Sequence, residues 1–328
     1  MAELHLSAHP ELAQRFGAIA RKRCMEDAEY HIRYLAQALR FGAPSLFIAY
    51  TNWAREMLEA RRVGWDDLAK NLEILRDELA RDAGPEAEAI REHVDAALAA
   101  PVSPAESFLT ASRQAALANA YVTALLRAER RTAVSTVEAA MRAGLSIRDF
   151  YLEVAQPVQR EIGRLWQLNR ITVAEEHYCT ASTQALMAQF YPQILSTPRV
   201  GRKIVVACVG NELHEIGVRM VADFFEMAGW DGIYLGANTP EQALVDLVCR
   251  ERPHAVALGV TMTYHLGSLQ ELVRHLRDEF RSGDVKIIVG GYVFHQREDL
   301  WRFIGADSSA RDAEEAVRVA ERLLNGRN

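Results

Sequence analysis

The stretch Lys203-Ile204-Val205-Val206-Ala207-Cys208-Val209-Gly210-Asn211-Glu212-Leu213-His214-Glu215-Ile216-Gly217 decides the fold. Residues 203–209 form a continuous apolar, β-branched run, the pattern of a strand buried on both faces of a parallel sheet. A histidine follows at the strand's carboxyl end, where open α/β sheets bind their ligands. Glu212, two residues before it, is placed to hold one ring nitrogen and leave the other free, which is how a protein prepares a metal ligand. Two further runs end in the same way: Ala255–Val260 leads into Thr261-Met262-Thr263, and Val285–Val289 leads into Gly290-Gly291. A lone Glu-x-His-x-x-Gly recurs by chance; three such features on one rim of a sheet give it weight.

These residues resemble the cobalamin-binding domain family, whose signature is Asp/Glu-x-His-x-x-Gly, then Ser/Thr-x-Leu, then Gly-Gly on successive strand ends. The resemblance covers roughly residues 200 to 328 and closes with Gly305-Ala306-Asp307 before a last helix. It implies that His214 ligates cobalt from below. It further implies that the displaced nucleotide tail of the cofactor threads past Gly217, Thr261 and Gly290-Gly291, and that Glu212, Glu215, Ile216, Thr263, Val289, Gly305, Ala306 and Asp307 also bind the cofactor in this lower domain. Thr263 stands where the family usually has Leu. Taken alone, this domain suits a corrinoid methyl-group carrier of a methyltransferase system equally well.

Proline and glycine mark the joints at Gly42-Ala43-Pro44, Gly84-Pro85, Pro101-Val102-Ser103-Pro104 and Ser196 to Gly201. They give a multidomain α plus α/β chain. Residues 1–100 form an N-terminal all-helical domain, with apolar residues such as Leu68, Leu72, Leu75 and Leu79 at helical spacing. Residues 104–195 form a four-helix bundle, with helices expected near 105–127, 132–143, 147–168 and 173–194. Residues 200–328 form a flavodoxin-like parallel-sheet domain. In it, Asn238-Thr239-Pro240-Glu241 opens a helix with a capping residue and a proline in the first turn, and Trp301-Arg302-Phe303-Ile304 makes a short fifth strand. No Gly-x-Gly-x-x-Gly or P-loop is present, so dinucleotide and phosphate binding lack their motifs.

Composition excludes other classes. A formal charge of -6, with both signs interspersed, provides no basic stripe for DNA binding. Cys24, Cys179, Cys208 and Cys249 show no Cys-x-x-Cys spacing, so neither a disulfide framework nor a zinc site is expected. The start Met1-Ala2-Glu3-Leu4 lacks a charged and apolar signal sequence, and no apolar run approaches membrane-spanning length, which predicts a cytoplasmic protein without a membrane partner.

A second cluster lies in the bundle, where Trp166 precedes Glu176-His177 by nine intervening residues and Thr172-Val173-Ala174-Glu175 is a capping box. With the domain that follows, this spacing resembles the light-sensing B12 receptors of the CarH type. In that family the bundle caps the upper face of adenosylcobalamin. The resemblance implies that Trp166 packs over the adenosyl group, Glu176 hydrogen-bonds it and His177 completes the polar pocket. Light then breaks the cobalt-carbon bond and changes domain packing and homo-oligomeric assembly. Two departures stand out: residues 1–100 show no winged-helix pattern, and Gln167 replaces the histidine that commonly follows the tryptophan.

The front end, with Phe16, Tyr30, Tyr34, Phe47, Tyr50, Trp53 and Trp65, resembles the N-terminal part of photocobilins, which also hold a bilin. That implies biliverdin as a second chromophore, with Arg21, Lys22, Arg23 and Arg33 beside Tyr30, His31 and Tyr34 as candidate contacts. The expectation is a non-enzymatic light sensor that signals to a downstream protein. Its rivals are the methyl carrier, which Trp166 and Glu176 argue against, and a stand-alone cobalamin scavenger, which leaves residues 1–100 without a role.

Overall fold

A computed structural model describes residues 17–101, 106–280 and 283–326. Met1 to Leu4, Phe16, and Val102, Ser103 and Pro104 of the third joint lie outside the described residues. The chain forms two compact units, residues 1–104 and 105–328. Among the described residues no helix is long and apolar enough to cross a membrane.

In the first unit the described residues form α1 (Ala20–Arg40), α2 (Pro44–Glu59), α3 (Trp65–Arg81) and α4 (Ala87–Ala99). The expected joints end and start these helices. Gly42 takes a left-handed conformation after α1, Pro44 opens α2, and Gly64 donates its N–H to Asp67 at the start of α3. Leu68, Leu72 and Leu75 are enclosed with Leu35, Leu46, Phe47 and Val94, so the helical spacing read from the sequence is the core face.

The second unit begins with α5 (Ala115–Leu126) and α6 (Arg130–Arg142). The expected start near 105 is too early. Residues 106–114 are an irregular segment held by acceptors of the third helix: the Phe108 N–H donates to Glu161 and the Arg113 N–H and guanidinium donate to Glu153. That third helix runs as a single turn (Ile147–Asp149), a π-helical stretch (Phe150–Ala155) and α7 (Gln156–Gln167). Pro157 explains the irregularity. It has no N–H to give the carbonyl of Glu153, which accepts instead from the Ser112 hydroxyl at 2.5 Å. α8 (Val173–Met187) starts at the expected capping box, with Thr172 accepting from the Glu175 N–H and Glu175 from the Thr172 N–H.

From residue 203 strand and helix alternate: β1 (Lys203–Cys208), α9 (Ile216–Met227), β2 (Asp231–Gly236), α10 (Glu241–Glu251), β3 (Ala255–Gly259), α11 (Leu266–Glu279), β4 (Lys286–Gly290), α12 (Leu300–Ile304), β5 (Ser308–Ala310) and α13 (Ala313–Leu324). The strands pair in parallel in the order β2-β1-β3-β4-β5, the flavodoxin-like order. β1 and β3 are buried almost throughout, as continuous apolar runs require.

Two details differ from expectation. Trp301–Ile304 is not a strand but lies in α12. Leu300 and Ile304, four apart, are buried while Phe303 is exposed, and Gly305 at a φ of 88° ends the helix. The fifth strand is Ser308–Ala310. Nor does Asn238 cap α10: its side chain accepts from the Asn211 N–H at 2.7 Å, linking two rim loops, and Pro240 occupies the N-cap position.

The bundle and the sheet domain share one core. Tyr121, Phe150, Tyr151, Val154, Met187 and Ile194 belong to the same buried cluster as Val206, Phe224, Phe225 and Val317. A buried polar tie crosses it, from the Tyr151 hydroxyl to the Asp223 carboxylate at 2.6 Å. Removing that donor leaves a buried carboxylate short of a partner. Tyr151→Phe should therefore lower unfolding stability by about 2 kcal/mol, read from the urea midpoint. A change below a few tenths of a kcal/mol would mean that the tie carries no net energy.

Candidate cofactor-binding site

The loop after β1 is organised by one carboxylate. Glu212 is 1% exposed, and its Oε1 accepts from the His214 backbone N–H at 3.0 Å and from Nδ1 of the same residue at 2.6 Å. Its Oε2 accepts from the backbone N–H groups of Thr261 and Met262, at 2.7 and 3.0 Å. Burial alone would raise this carboxyl. The hydrogen bond and charge of His214, with the backbone donors of Met262 and His214, outweigh burial and hold it at about 2.

His214 is half exposed, with a 56% accessible side chain, and Leu213 beside it is exposed. The hydrogen bond that His214 donates to Glu212 raises the His214 pKa, burial opposes the rise, and the charges of Glu212 and Glu176 add to it. Because Nδ1 is engaged by the carboxylate, Nε2 is the nitrogen available to a metal.

The glycines on the rim serve different ends. Gly291, at a φ of 113°, brings the turn after β4 so close to β3 that a Cβ would lie 2.0 Å from the Val260 carbonyl oxygen. A Cβ on Gly290 would stand 3.0 Å from the Ala310 carbonyl, whereas one on Gly217 would meet nothing within 4 Å. Gly217 is exposed, with open space above it. Thr261 is partly buried; Thr263 is buried and opens the turn Thr263–His265, and Val289 is enclosed in β4.

Gly305, Ala306 and Asp307 lie elsewhere. Asp307 accepts from the Ile287 N–H at 2.6 Å and from Arg277 at 2.7 Å, which puts the segment at the amino end of β4, away from the Gly290-Gly291 rim. The structure does not bring it to His214.

Trp166 is half-buried in the last turn of α7, and Gln167 next to it is buried. Glu176, in the first turns of α8, has a 29% exposed side chain within 3.4 Å of the exposed His177 ring. Gln184 of the same helix is bonded to Glu215, next to His214, so α8 borders the β1 loop. Sequence reasoning missed Glu215's partners. Its carboxylate accepts from Gln184 of α8 at 2.8 Å, from the Tyr234 hydroxyl at 3.1 Å and from the Ala237 N–H at 3.0 Å. In the first unit, His31 and Tyr34 are buried against Tyr50: His31 Nδ1 is 2.7 Å from the Tyr50 hydroxyl and the Tyr34 ring stacks at 3.7 Å. Arg33 is exposed and pairs with Glu29 at 2.6 Å.

Among the described residues no group of three or more His, Cys, Asp or Glu could hold a bare metal ion. A single imidazole, pinned by an ionised carboxylate with Nε2 free, instead fits a metal that arrives already chelated in a macrocycle and needs one axial donor. The open space at Gly217 fits the same guest.

The two charges of the rim also fix its pH response. The Glu212 contribution is present above its ordinary value of 4.5 and is lost as pH falls through about 2; the His214 contribution is present below 6.5 and is lost as pH rises through its elevated value. Stability of the ligand-free wild type should therefore fall between pH 4.5 and 2, and more steeply than that of Glu212→Gln, in urea midpoints taken across the window. Equal slopes would show that Glu212 is not held ionised by its donors.

Two family models match the chain, each described as a B12 binding domain, over residues 202–320 and 117–191. A curated relative, the HTH-type transcriptional repressor CarA of Myxococcus xanthus, is 28% identical over 52% of this chain and 57% of its own. Dimethylamine corrinoid protein 1 of Methanosarcina mazei is 30% identical over 45% of this chain and 67% of its own. The chain thus spans little more than half of the first relative's length. The structure of the Methanosarcina barkeri monomethylamine corrinoid protein superposes with a TM-score of 0.56 at 19% identity, covering 64% of this chain and 98% of that one, a likeness of fold.

Proposed function

The chain belongs to the B12-binding-domain family, and on that premise we propose that it is a light-sensing, non-enzymatic protein that holds adenosylcobalamin. The observation that carries the reading is the Gln184–Glu215 bond: α8, which bears Glu176 and His177 and follows the Trp166 turn of α7, is tied to the loop that holds His214, the residue suited to ligate cobalt. In this reading His214 holds the metal from below, while Glu212 fixes its tautomer. The segments around Gly217, Thr261, Thr263 and Gly290-Gly291 receive the nucleotide tail. Trp166 packs over the adenosyl group, Glu176 accepts its hydrogen bonds and His177 closes the pocket on the solvent side.

Adenosylcobalamin, when bound, supplies a cobalt-carbon bond that light breaks. With no upper ligand beneath it, Trp166 faces a space that α7 and α8 close by repacking, and packed interfaces switch between discrete arrangements. The output is a changed homo-oligomeric state read by a downstream protein, without direct DNA or membrane binding. Gln167 gives cobalt no imidazole from that position, which leaves His177 or water to take the place of the lost ligand, so the light form is less firmly locked than where a histidine follows the tryptophan.

Biliverdin as a second chromophore in the first unit draws support from buried acceptors. Thr51 Oγ1, Asn71 Oδ1 and His93 Nε2, on α2, α3 and α4, lack hydrogen-bond partners among the described residues, and bilin pyrrole N–H groups are donors of the right kind. His31 and Tyr34 would line that interior, with Arg33 at its edge for a propionate.

A corrinoid methyl carrier is the second reading, favoured by the 30% identity to a dimethylamine corrinoid protein. Upper-ligand preference separates the two. Calorimetric titration in darkness should give at least about tenfold tighter binding of adenosylcobalamin than of methylcobalamin, a preference lost in Trp166→Ala. Equal affinities would favour the carrier. His214→Ala should remove the nitrogen hyperfine splitting of the Co(II) paramagnetic resonance signal, and an unchanged spectrum would displace His214 as ligand. Light scattering on size-exclusion eluates, in darkness and after green light, should show two masses. One mass in both conditions would exclude an assembly switch.

A further inference from the structure

We propose that Glu215 and Gln184 form a positioning pair that sets the height of α8 above His214 and thereby selects the upper ligand. The proposal rests on the reading of this site as a cobalamin site. Glu215 directly follows His214, and two donors of the sheet domain fix its carboxylate: Oε2 accepts from the Tyr234 hydroxyl and from the Ala237 N–H, at 3.1 and 3.0 Å. Oε1 remains for the bundle and accepts from Gln184 Nε2 at 2.8 Å, across a sequence separation of 31.

On α8 the partner lies on a definite stripe. Glu176, Thr180 and Gln184 follow at intervals of four and so share one face of the helix. The Thr180 hydroxyl stands 3.1 Å from Glu176 Oε1 and 2.9 Å from Gln159 Oε1 of α7. α8 thus meets the His214 loop through Gln184, which is bonded to the neighbouring carboxylate, and Glu176 stands two turns away on the same face. Buried Cys179, Thr183, Leu186 and Met187 seat α8 in the core, and on its polar stripe the directional Gln184 bond ties the face that bears Glu176 to the His214 loop. Shifting α8 along its axis would carry Glu176 away from an upper ligand while leaving His214 in place.

The test separates seating of α8 from cobalt ligation. Gln184→Glu sets two carboxylates against each other, and the double variant Gln184→Glu with Glu215→Gln restores one bond with donor and acceptor exchanged. Oε1 of the new side chain at 215 can still accept from Tyr234 and Ala237. Calorimetry in darkness with adenosylcobalamin and with hydroxocobalamin should show Gln184→Glu weakening the adenosyl form by roughly tenfold, the scale of one hydrogen bond to a charged group. Hydroxocobalamin affinity and the Co(II) nitrogen splitting should stay as in the wild type, and the double variant should recover the adenosyl affinity. A Gln184→Glu protein that discriminates like the wild type, or a double variant that binds hydroxocobalamin normally without recovering, overturns the pair. A wild type that binds both forms equally overturns the cobalamin-cap reading itself and the pair with it, a result told apart by needing no variant.

Discussion

The Glu212 carboxylate takes four N–H donors from two loops, and the rest of the rim depends on it. Its bonds to His214 orient the imidazole, and its bonds to Thr261 and Met262 tie the β1 loop to the β3 loop. A buried charge is tolerated only when donors surround it, so the two loops cannot move apart without leaving that charge bare. The close approach of Gly291 to Val260 then attaches the β4 turn to the same assembly. Three strand ends become one rigid surface around the imidazole.

Rigidity below contrasts with the joint above. The bundle and sheet domain share an apolar core, which resists separation but does not specify register. Directional bonds supply that: Tyr151 to Asp223 deep in the interface and Gln184 to Glu215 at the rim. Bonds of this kind over a continuous apolar contact favour a few discrete seatings of one part on the other.

The order of strands and the His214 motif were legible because both are local: an apolar run, a turn and a glycine are read within fifteen or so residues of each other, on the scale of one βα unit. The α12 segment misled because Trp301–Ile304 was read without Leu300, and only the pair Leu300 and Ile304 shows helical spacing. The family pattern implies a cofactor contact at Gly305-Ala306-Asp307, while in the fold Asp307 serves the opposite end of the sheet by accepting from the Ile287 N–H. The late start of α5 and the Gln184 bond were out of reach of pattern. Each rests on a carboxylate that finds its partner across tens of residues, a pairing that only the fold creates.

The π-helical stretch Phe150–Ala155 deserves to be seen as a gear rather than a flaw. Each helical residue advances the chain by about 100° around its axis, and a π turn absorbs one residue more than an α turn. Everything beyond it is therefore re-aimed by roughly that angle relative to the turn Ile147–Asp149. Tyr151 lies inside the stretch and Trp166 downstream of it, so the irregularity sets the angle between the residue that anchors the bundle and the one that ends its third helix. Loss of a single residue there would straighten the helix and turn Trp166 to another face with every residue of the site still present. The aim of an aromatic side chain is thus stored eleven positions before it, in the backbone that Pro157 left one hydrogen bond short and Ser112 completed.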